Sequence, residues 1–262
     1  MEKIGFIGMG NMAQALCQGF INSGLVNKEN IFAYAPHFEK LKANAQKIGF
    51  IPVEKFSDLL DKADTFIMAC KPYQIEDVLK EAGDKLKSKA IVSVAAGWDF
   101  ARYSNYLTES TRLQFVMPNT PAMVGEGVML FEEKNSLTTQ EHEKAVELFS
   151  SLGLVEFLPS SLMGIGGAVT GCGPAFVDLF MESYADAAVK YGIPRKTAYS
   201  LVAQMILGSA KLQLETREHP GVLKDNVCSP NGTTIRGVCA LEENGFRNAC
   251  IKSIDEIMNM KK

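Results

Sequence analysis

The sequence predicts an α/β fold in two parts: an N-terminal, doubly wound sheet over residues 1–160 and a C-terminal, all-helical dimerisation domain over 161–262. Three observations carry this expectation. Short β-rich runs alternate with helical runs as far as Leu158, the pattern of an open parallel sheet. From Ser161 to Lys262 the apolar period is 3.6 almost throughout. The apolar faces of that second part are more than a single-layer helical domain of about a hundred residues can hide, so a second copy of the chain is expected to cover them, giving a homo-oligomer with a helical dimer interface.

Lys3 to Ile7 reads as the first strand. Gly8-Met9-Gly10-Asn11-Met12-Ala13 then turns into the helical run Ala15 to Ile21, which is the strand, glycine turn and helix of a Rossmann-type dinucleotide site. Gly8 serves the backbone angles of the turn, Gly10 lets a pyrophosphate approach the main chain beside Asn11 and Met12, and small Ala13 lets the helix pack on the strand. Alone, a G-x-G-x-x-A is a weak signal; directly after an apolar strand at the N-terminus it gains weight. Ile31 to Ala35 is the second strand, and no Asp or Glu follows it to bond a ribose 2′-hydroxyl. Past Ala35 and Pro36, His37 and Lys40 either meet a 2′-phosphate, which favours NADPH while leaving NADH possible, or are solvated residues at a helix start.

A strand near Phe50 to Val53, a helix from Ser57 to Lys62 and the strand Thr65 to Ala69 continue the alternation, and Lys71-Pro72 stands at the carboxyl end of that strand, where ligands gather in open sheets. Ala90 to Val94 is the next strand. Its end, Ala95-Ala96-Gly97, is small enough for backbone to approach a nicotinamide ring, although small residues also serve packing. Leu113 to Met117 leads into the rigid turn Met117-Pro118-Asn119-Thr120-Pro121, and Gly127 to Phe131, the helix Thr138 to Ser150 and Val155 to Leu158 complete the sheet-rich half. Beyond it, helices are expected over Pro174 to Tyr191, Pro194 to Glu215, Thr233 to Glu243 and Phe246 to Met260, each opened by Pro, Gly or Thr. Asp178, Glu182 and Asp186 share a face of the first; at spacing four they read as a solvated edge rather than a metal site.

Between the helices, His219 to Thr234 reads as a loop built to start a helix: Ser229-Pro230-Asn231-Gly232 punctuates the chain and free N–H groups gather from Gly232 to Thr234, a place suited to a carboxylate or phosphate. An ordinary Ser/Asn/Thr helix cap is the alternative.

Composition bounds the function. The chain is 262 residues long with 47% apolar and 22% charged residues and a net charge of −3, and its Lys and Arg are scattered, so neither nucleic acid nor a membrane surface is indicated as partner. Its six cysteines show no metal-ligand spacing and no disulfide framework, which points to a reducing cytoplasm, and no metal is expected. No histidine has a convincing nucleophile partner and no G-x-S-x-G occurs, which leaves hydride transfer as the leading chemistry.

The run Pro220, Leu223, Val227, Cys228, Ser229, Asn231, Gly232, Thr234, Gly237, Val238, Leu241, Glu242 resembles the C-terminal signature of pyrroline-5-carboxylate reductases. Gly8 to Ala13, Lys71-Pro72, Met117 to Pro121 and Gly171 to Ala175 match the family in the same order. The resemblance implies reduction of 1-pyrroline-5-carboxylate, a cyclic imine, to L-proline by NAD(P)H, the last step of proline biosynthesis. It implies that Ser229, Gly232 and Thr233 hold the substrate carboxylate and that Thr234 serves the ring nitrogen. Lys71 and Pro72 would lie beside the cofactor ribose and Asn119 near the nicotinamide. Two positions depart from the pattern: Phe56 where the family often has Asn near the adenosine ribose, and Phe115 where it usually has Arg. A 3-hydroxyacid dehydrogenase of similar layout would need a lysine on the long helix, and Pro174 to Val189 holds none.

Overall fold

The computed structural model describes residues 3–108 and 110–260. The chain divides into two compact units, Met1–Pro174 and Ala175–Lys262.

The first unit is built on β1 (Ile4–Ile7), β2 (Ile31–Tyr34), β3 (Ile51–Pro52), β4 (Thr65–Met68), β5 (Ala90–Ser93), β6 (Arg112–Pro118), β7 (Gly127–Glu132) and β8 (Gly153–Leu158). They form one sheet in the order β3-β2-β1-β4-β5-β6-β7-β8. The first six reproduce the 3-2-1-4-5-6 order of the dinucleotide fold, whose direction of winding reverses beside β1. β1, β4 and β5 are buried on both faces, as the central strands of a sheet between two helical layers must be. α1 (Asn11–Asn22), α2 (Phe38–Ile48) and α6 (Thr139–Ser150) pack with one core, which joins Phe6, Leu16, Phe20 and Phe149, while α3 (Phe56–Lys62) and α4 (Ile75–Ala82) pack with another around Phe66, Ile91 and Trp98.

Three features differ from the sequence expectation. β6 and β7 pair antiparallel, in register Val116↔Phe131. Only a short 3-10 turn, Thr120–Val124, joins them, far too little chain for the crossover a parallel pair needs. The long helix α7 begins at Met163 rather than at Pro174 and runs to Lys190 with Pro174 inside it. A proline there leaves the carbonyl of Thr170, four residues back, without its helical donor. Asn119 Nδ2 donates to that Thr170 oxygen at 3.0 Å and replaces the missing bond. The first turns of α7 belong to the sheet unit: Met163 packs with Phe115 and Leu130, and a side chain at Gly166 or Gly167 would collide with Leu158 or Met117. Third, the stretch expected as a loop from His219 is helical over α9 (Pro220–Val227), with Pro220 in its first turn and His219 Nδ1 accepting from Gly221 N–H at 3.1 Å. The loop shrinks to residues 228–232.

The second unit continues α7 and adds α8 (Arg195–Thr216), α9, α10 (Thr233–Glu243) and α11 (Phe246–Met258). Its apolar residues are largely uncovered: Leu179 is 63% exposed, Leu207 53%, Leu214 66% and Ile251 62%. Among its described residues only Ala185, Ala198 and Val202 are buried. Such surface is larger than water tolerates on an isolated helical unit.

Candidate active site

At the carboxyl ends of the central strands, main-chain bonds lace β2, β1, β4 and β5 together: Gly8 N–H donates to Tyr34 O (2.8 Å), Ala69 N–H to Ile7 O (2.9 Å) and Val94 N–H to Met68 O (3.0 Å). Gly8 has φ +95°, and a Cβ there would stand 2.6 Å from Cys70 N, against backbone that cannot yield. Gly10, the N-cap of α1, differs: its φ of −77° suits any residue and nothing lies within 4 Å of where its Cβ would be. α1 has no side-chain cap and no acidic residue in its first turn, so the N–H groups of Asn11, Met12 and Ala13 are left uncapped by a side chain at the positive end of the helix dipole. Asn11 is exposed, Met12 half-buried and Ala13 buried. This geometry fits a dinucleotide pyrophosphate.

Past β2, Ala35 is half-buried, and His37 is the exposed N-cap of α2, again with no side-chain cap bond. Lys40 is exposed and makes no ion pair among the described residues, whereas Glu39 is paired with Lys42 at 2.7 Å. Glu39, paired with Lys42, is the acidic residue in the first turn of α2. Phe56 is buried, its ring 5.4 Å from that of Tyr34. The position thus offers ring packing beneath β2 and no hydrogen bond to a ribose.

Lys71 is exposed, its N–H held by Gln74 Oε1 at 3.1 Å, and Pro72 opens the 3-10 turn Pro72–Gln74. Cys70, beside them, stays a neutral thiol, because burial pushes it up to about 11 against the opposing pull of a backbone hydrogen bond. The Ala95-Ala96-Gly97 loop is braced from below. Ser93 Oγ lies 2.9 Å from Tyr103 Oη and accepts from Ala95 N–H at 3.4 Å. Burial, opposed by the Ser93 hydrogen bond, holds the Tyr103 phenol far above its usual range. Arg102 donates to Gly97 O at 3.2 Å while its guanidinium lies 4.3 Å over the Trp98 ring. Ala96 and Gly97 are left exposed, with Gly97 at φ +75°.

Asn119 is buried and its amide is committed: Nδ2 to Thr170 O, and Oδ1 accepting from Val128 N–H at 2.8 Å. Its side chain therefore fixes the Met117–Pro121 turn to β7 and α7. Phe115 is buried with Leu130 and Met163, so an arginine is not missed at that place; the space is filled by apolar packing. Opposite it, Glu132 is fully buried and accepts from Phe100 N–H at 2.8 Å and from the Ser160 hydroxyl. Nothing in the sequence pattern pointed to this link.

In the second unit, Gly232 N–H donates to Ser229 O at 3.0 Å and closes a turn, with Asn231 at φ +59°. A Cβ on Gly232 would stand 2.4 Å from Ser229 Oγ, so glycine keeps that hydroxyl in place. Gly232 is the N-cap of α10, with no side-chain cap bond and no acidic residue in the first turn. Thr233 and Thr234 follow, both exposed. Thr234 is inside the helix and caps nothing, so the alternative of a plain threonine cap does not hold. The N–H groups of the first turn and the Ser229, Thr233 and Thr234 hydroxyls are available to an anion.

A cavity of about 290 Å³ opens elsewhere, lined by Phe100, Ser104, Leu107, Thr108, Thr111, Leu113 and Ser136. It lies by the amino end of β6, the end of the sheet opposite the glycine turn, and no site residue lines it.

Comparison with known proteins gives two family models: pyrroline-5-carboxylate reductase dimerisation over residues 160–262, and NADP oxidoreductase, coenzyme F420-dependent, over residues 3–97. The pyrroline-5-carboxylate reductase of Methanosarcina acetivorans is 40% identical over 257 residues, 97% of this chain and 94% of that protein. The Escherichia coli protein of the same name is 39% identical over 258 residues, 98% of this chain and 96% of that one. Among solved structures, Plasmodium falciparum pyrroline carboxylate reductase with NADP bound superposes with a TM-score of 0.89 at 31% identity, covering 98% of this chain and 95% of that one. The Coxiella burnetii pyrroline-5-carboxylate reductase gives 0.86 at 30%, covering 98% and 96%.

Proposed function

The chain belongs to the pyrroline-5-carboxylate reductase family, and we propose that it reduces 1-pyrroline-5-carboxylate to L-proline with NADPH, as a cytoplasmic homo-oligomer. The observation that carries this reading is a pair of uncapped helix N-termini free of acidic residues, one at the glycine turn of α1 and one at the 229–234 loop of α10. The first suits a pyrophosphate, the second a carboxylate.

When bound, NADPH supplies a hydride to the C=N carbon of the imine. The chain's own part is holding and orienting. Gly8 and Gly10 with Asn11 and Met12 receive the pyrophosphate; Ala35, His37 and Lys40 border the 2′-phosphate; Lys71 and Pro72 flank the ribose; and Ala95, Ala96 and Gly97 leave room for the nicotinamide. Asn119 contributes by fixing the Met117–Pro121 turn. Ser229 and Thr233, with the α10 N–H groups, hold the substrate carboxylate, and Gly232 keeps Ser229 Oγ in place. Thr234 gives or relays the proton to the ring nitrogen, so that imine, hydride and proton sum to proline. No strong acid is needed, because the product nitrogen is basic; a positioned hydroxyl or water suffices.

The oligomer is supported by the exposed apolar residues of α7, α8 and α11 and by the dimerisation model over 160–262. The helical stretch Ser160–Lys190 is long and apolar enough by composition to span a bilayer. In this reading a second copy of the chain covers it. The test is a rate measurement with pyrroline-5-carboxylate and each cofactor in turn: a higher kcat/KM with NADPH than with NADH is expected, and preference for NADH would remove the 2′-phosphate assignment to His37 and Lys40.

A further inference from the structure

Asn231 and Arg217 are the non-glycine residues with positive φ among the described residues, and Asn231 lies in the middle of the loop assigned to the substrate carboxylate. An L side chain is strained at φ +59°, asparagine less than most, so the turn needs support to be the prevailing conformation. That support is visible: Arg236 Nη2 donates to Asn231 Oδ1 at 2.9 Å. Arg236 is itself in an unfavourable place. It occupies the first turn of α10, at the positive end of the helix dipole, with no acidic residue in that turn to offset it. Two locally disfavoured features, a left-handed asparagine and a cation at a helix N-terminus, are thus joined by one hydrogen bond across the loop. Both become favourable if an anion sits at the N–H groups between them. Glycine at 231 would need no such support.

Resting on the assignment of this loop to the substrate carboxylate, we propose that Arg236 is a positioning residue of the reductase: its guanidinium holds Asn231 in the left-handed turn and so keeps Ser229 and the first N–H groups of α10 converged on the carboxylate. It acts through Asn231 and touches no reacting atom. The pair is exposed, so its contribution is to loop geometry and not to the fold.

The experiment uses the full-length enzyme in four forms: parent, Arg236→Ala, Asn231→Gly and the double variant, each checked for melting temperature and oligomeric state. Losing one supporting hydrogen bond of ordinary strength corresponds to about a 3–10-fold rise in KM for pyrroline-5-carboxylate in Arg236→Ala. KM for NADPH and kcat stay at parental values, which general loss of structure would not allow. In the Asn231→Gly background the same arginine removal is expected to change the imine KM less than twofold, because glycine takes positive φ without strain. An Arg236→Ala enzyme with parental KM overturns the proposal, as does an equal KM rise in both backgrounds, which would make the arginine a direct charge on the substrate. A parent enzyme inert toward pyrroline-5-carboxylate would instead remove the functional reading itself.

Discussion

Gly8 and Gly10 stand two residues apart in one motif, yet the structure gives them opposite predictions. At Gly8 an alanine meets φ +95° and places Cβ 2.6 to 2.8 Å from the backbone of Ala69 and Cys70. The left-handed backbone alone costs about 1–2 kcal/mol, and separating β1 from the end of β4 adds at least as much. A total of about 3 kcal/mol or more lowers the melting temperature by roughly 6–12 °C for a unit of this size. At Gly10 the alanine meets ordinary angles and empty space, so stability should move by less than about 0.5 kcal/mol. Its methyl group would, however, hold a pyrophosphate off the N–H groups of Asn11 and Met12. Loss of one charge-assisted hydrogen bond, about 1.5–3 kcal/mol, raises the NADPH Kd roughly 10–150-fold. Trp98, the single tryptophan, reports binding through quenching of its fluorescence, and thermal melts of the same samples report stability. A Gly10→Ala protein with parental Kd, or one as unstable as Gly8→Ala, would refute the assignment of Gly10 to the cofactor.

Three further outcomes follow from the same geometry. Thr234→Ala should lower kcat by about 10²–10³ while leaving the melting temperature and NADPH affinity nearly unchanged, since Thr234 caps nothing; a destabilised but fully active enzyme would remove its catalytic role. Burial pushes the Cys17 thiol up to about 12 from its ordinary 9.0, so the unfolded chain releases that proton first and stability falls as pH rises above 9, by about 1.4 kcal/mol per pH unit for this group. Cys17→Ala should therefore flatten the loss of melting temperature between pH 9 and 10.5, and an unchanged slope contradicts the attribution. Light scattering at micromolar concentration should give a dimer or larger species, and an active monomer would show that α7, α8 and α11 need no second copy.

The glycine turn, the strand alternation and the turn at 228–232 were legible in the sequence because each rests on local chemistry: turn residues, periodicity and helix starts. What was not legible depends on distant partners. Pro174 signals a helix start by every local rule, and it lies inside α7 because Asn119, in a different element, satisfies the carbonyl that the proline leaves free. The antiparallel direction of β7 has no signature in its own residues; it follows from the short turn before it. α9 could have been read. Pro220 beside a capping His219 is a helix-start signal, hidden by Gly221 and by the strength of the motif that follows. The left-handed backbone of Asn231 and the burial of Glu132 are facts that no periodicity encodes.

The central claim is tested most directly by isotope transfer. With NADPH deuterated at the transferable position of the nicotinamide and 1-pyrroline-5-carboxylate as substrate, the enzyme should form L-proline carrying a single deuterium at C5, the former imine carbon, in step with cofactor oxidation. Cofactor that remains reduced in the presence of the imine, or proline formed without deuterium, would contradict the account.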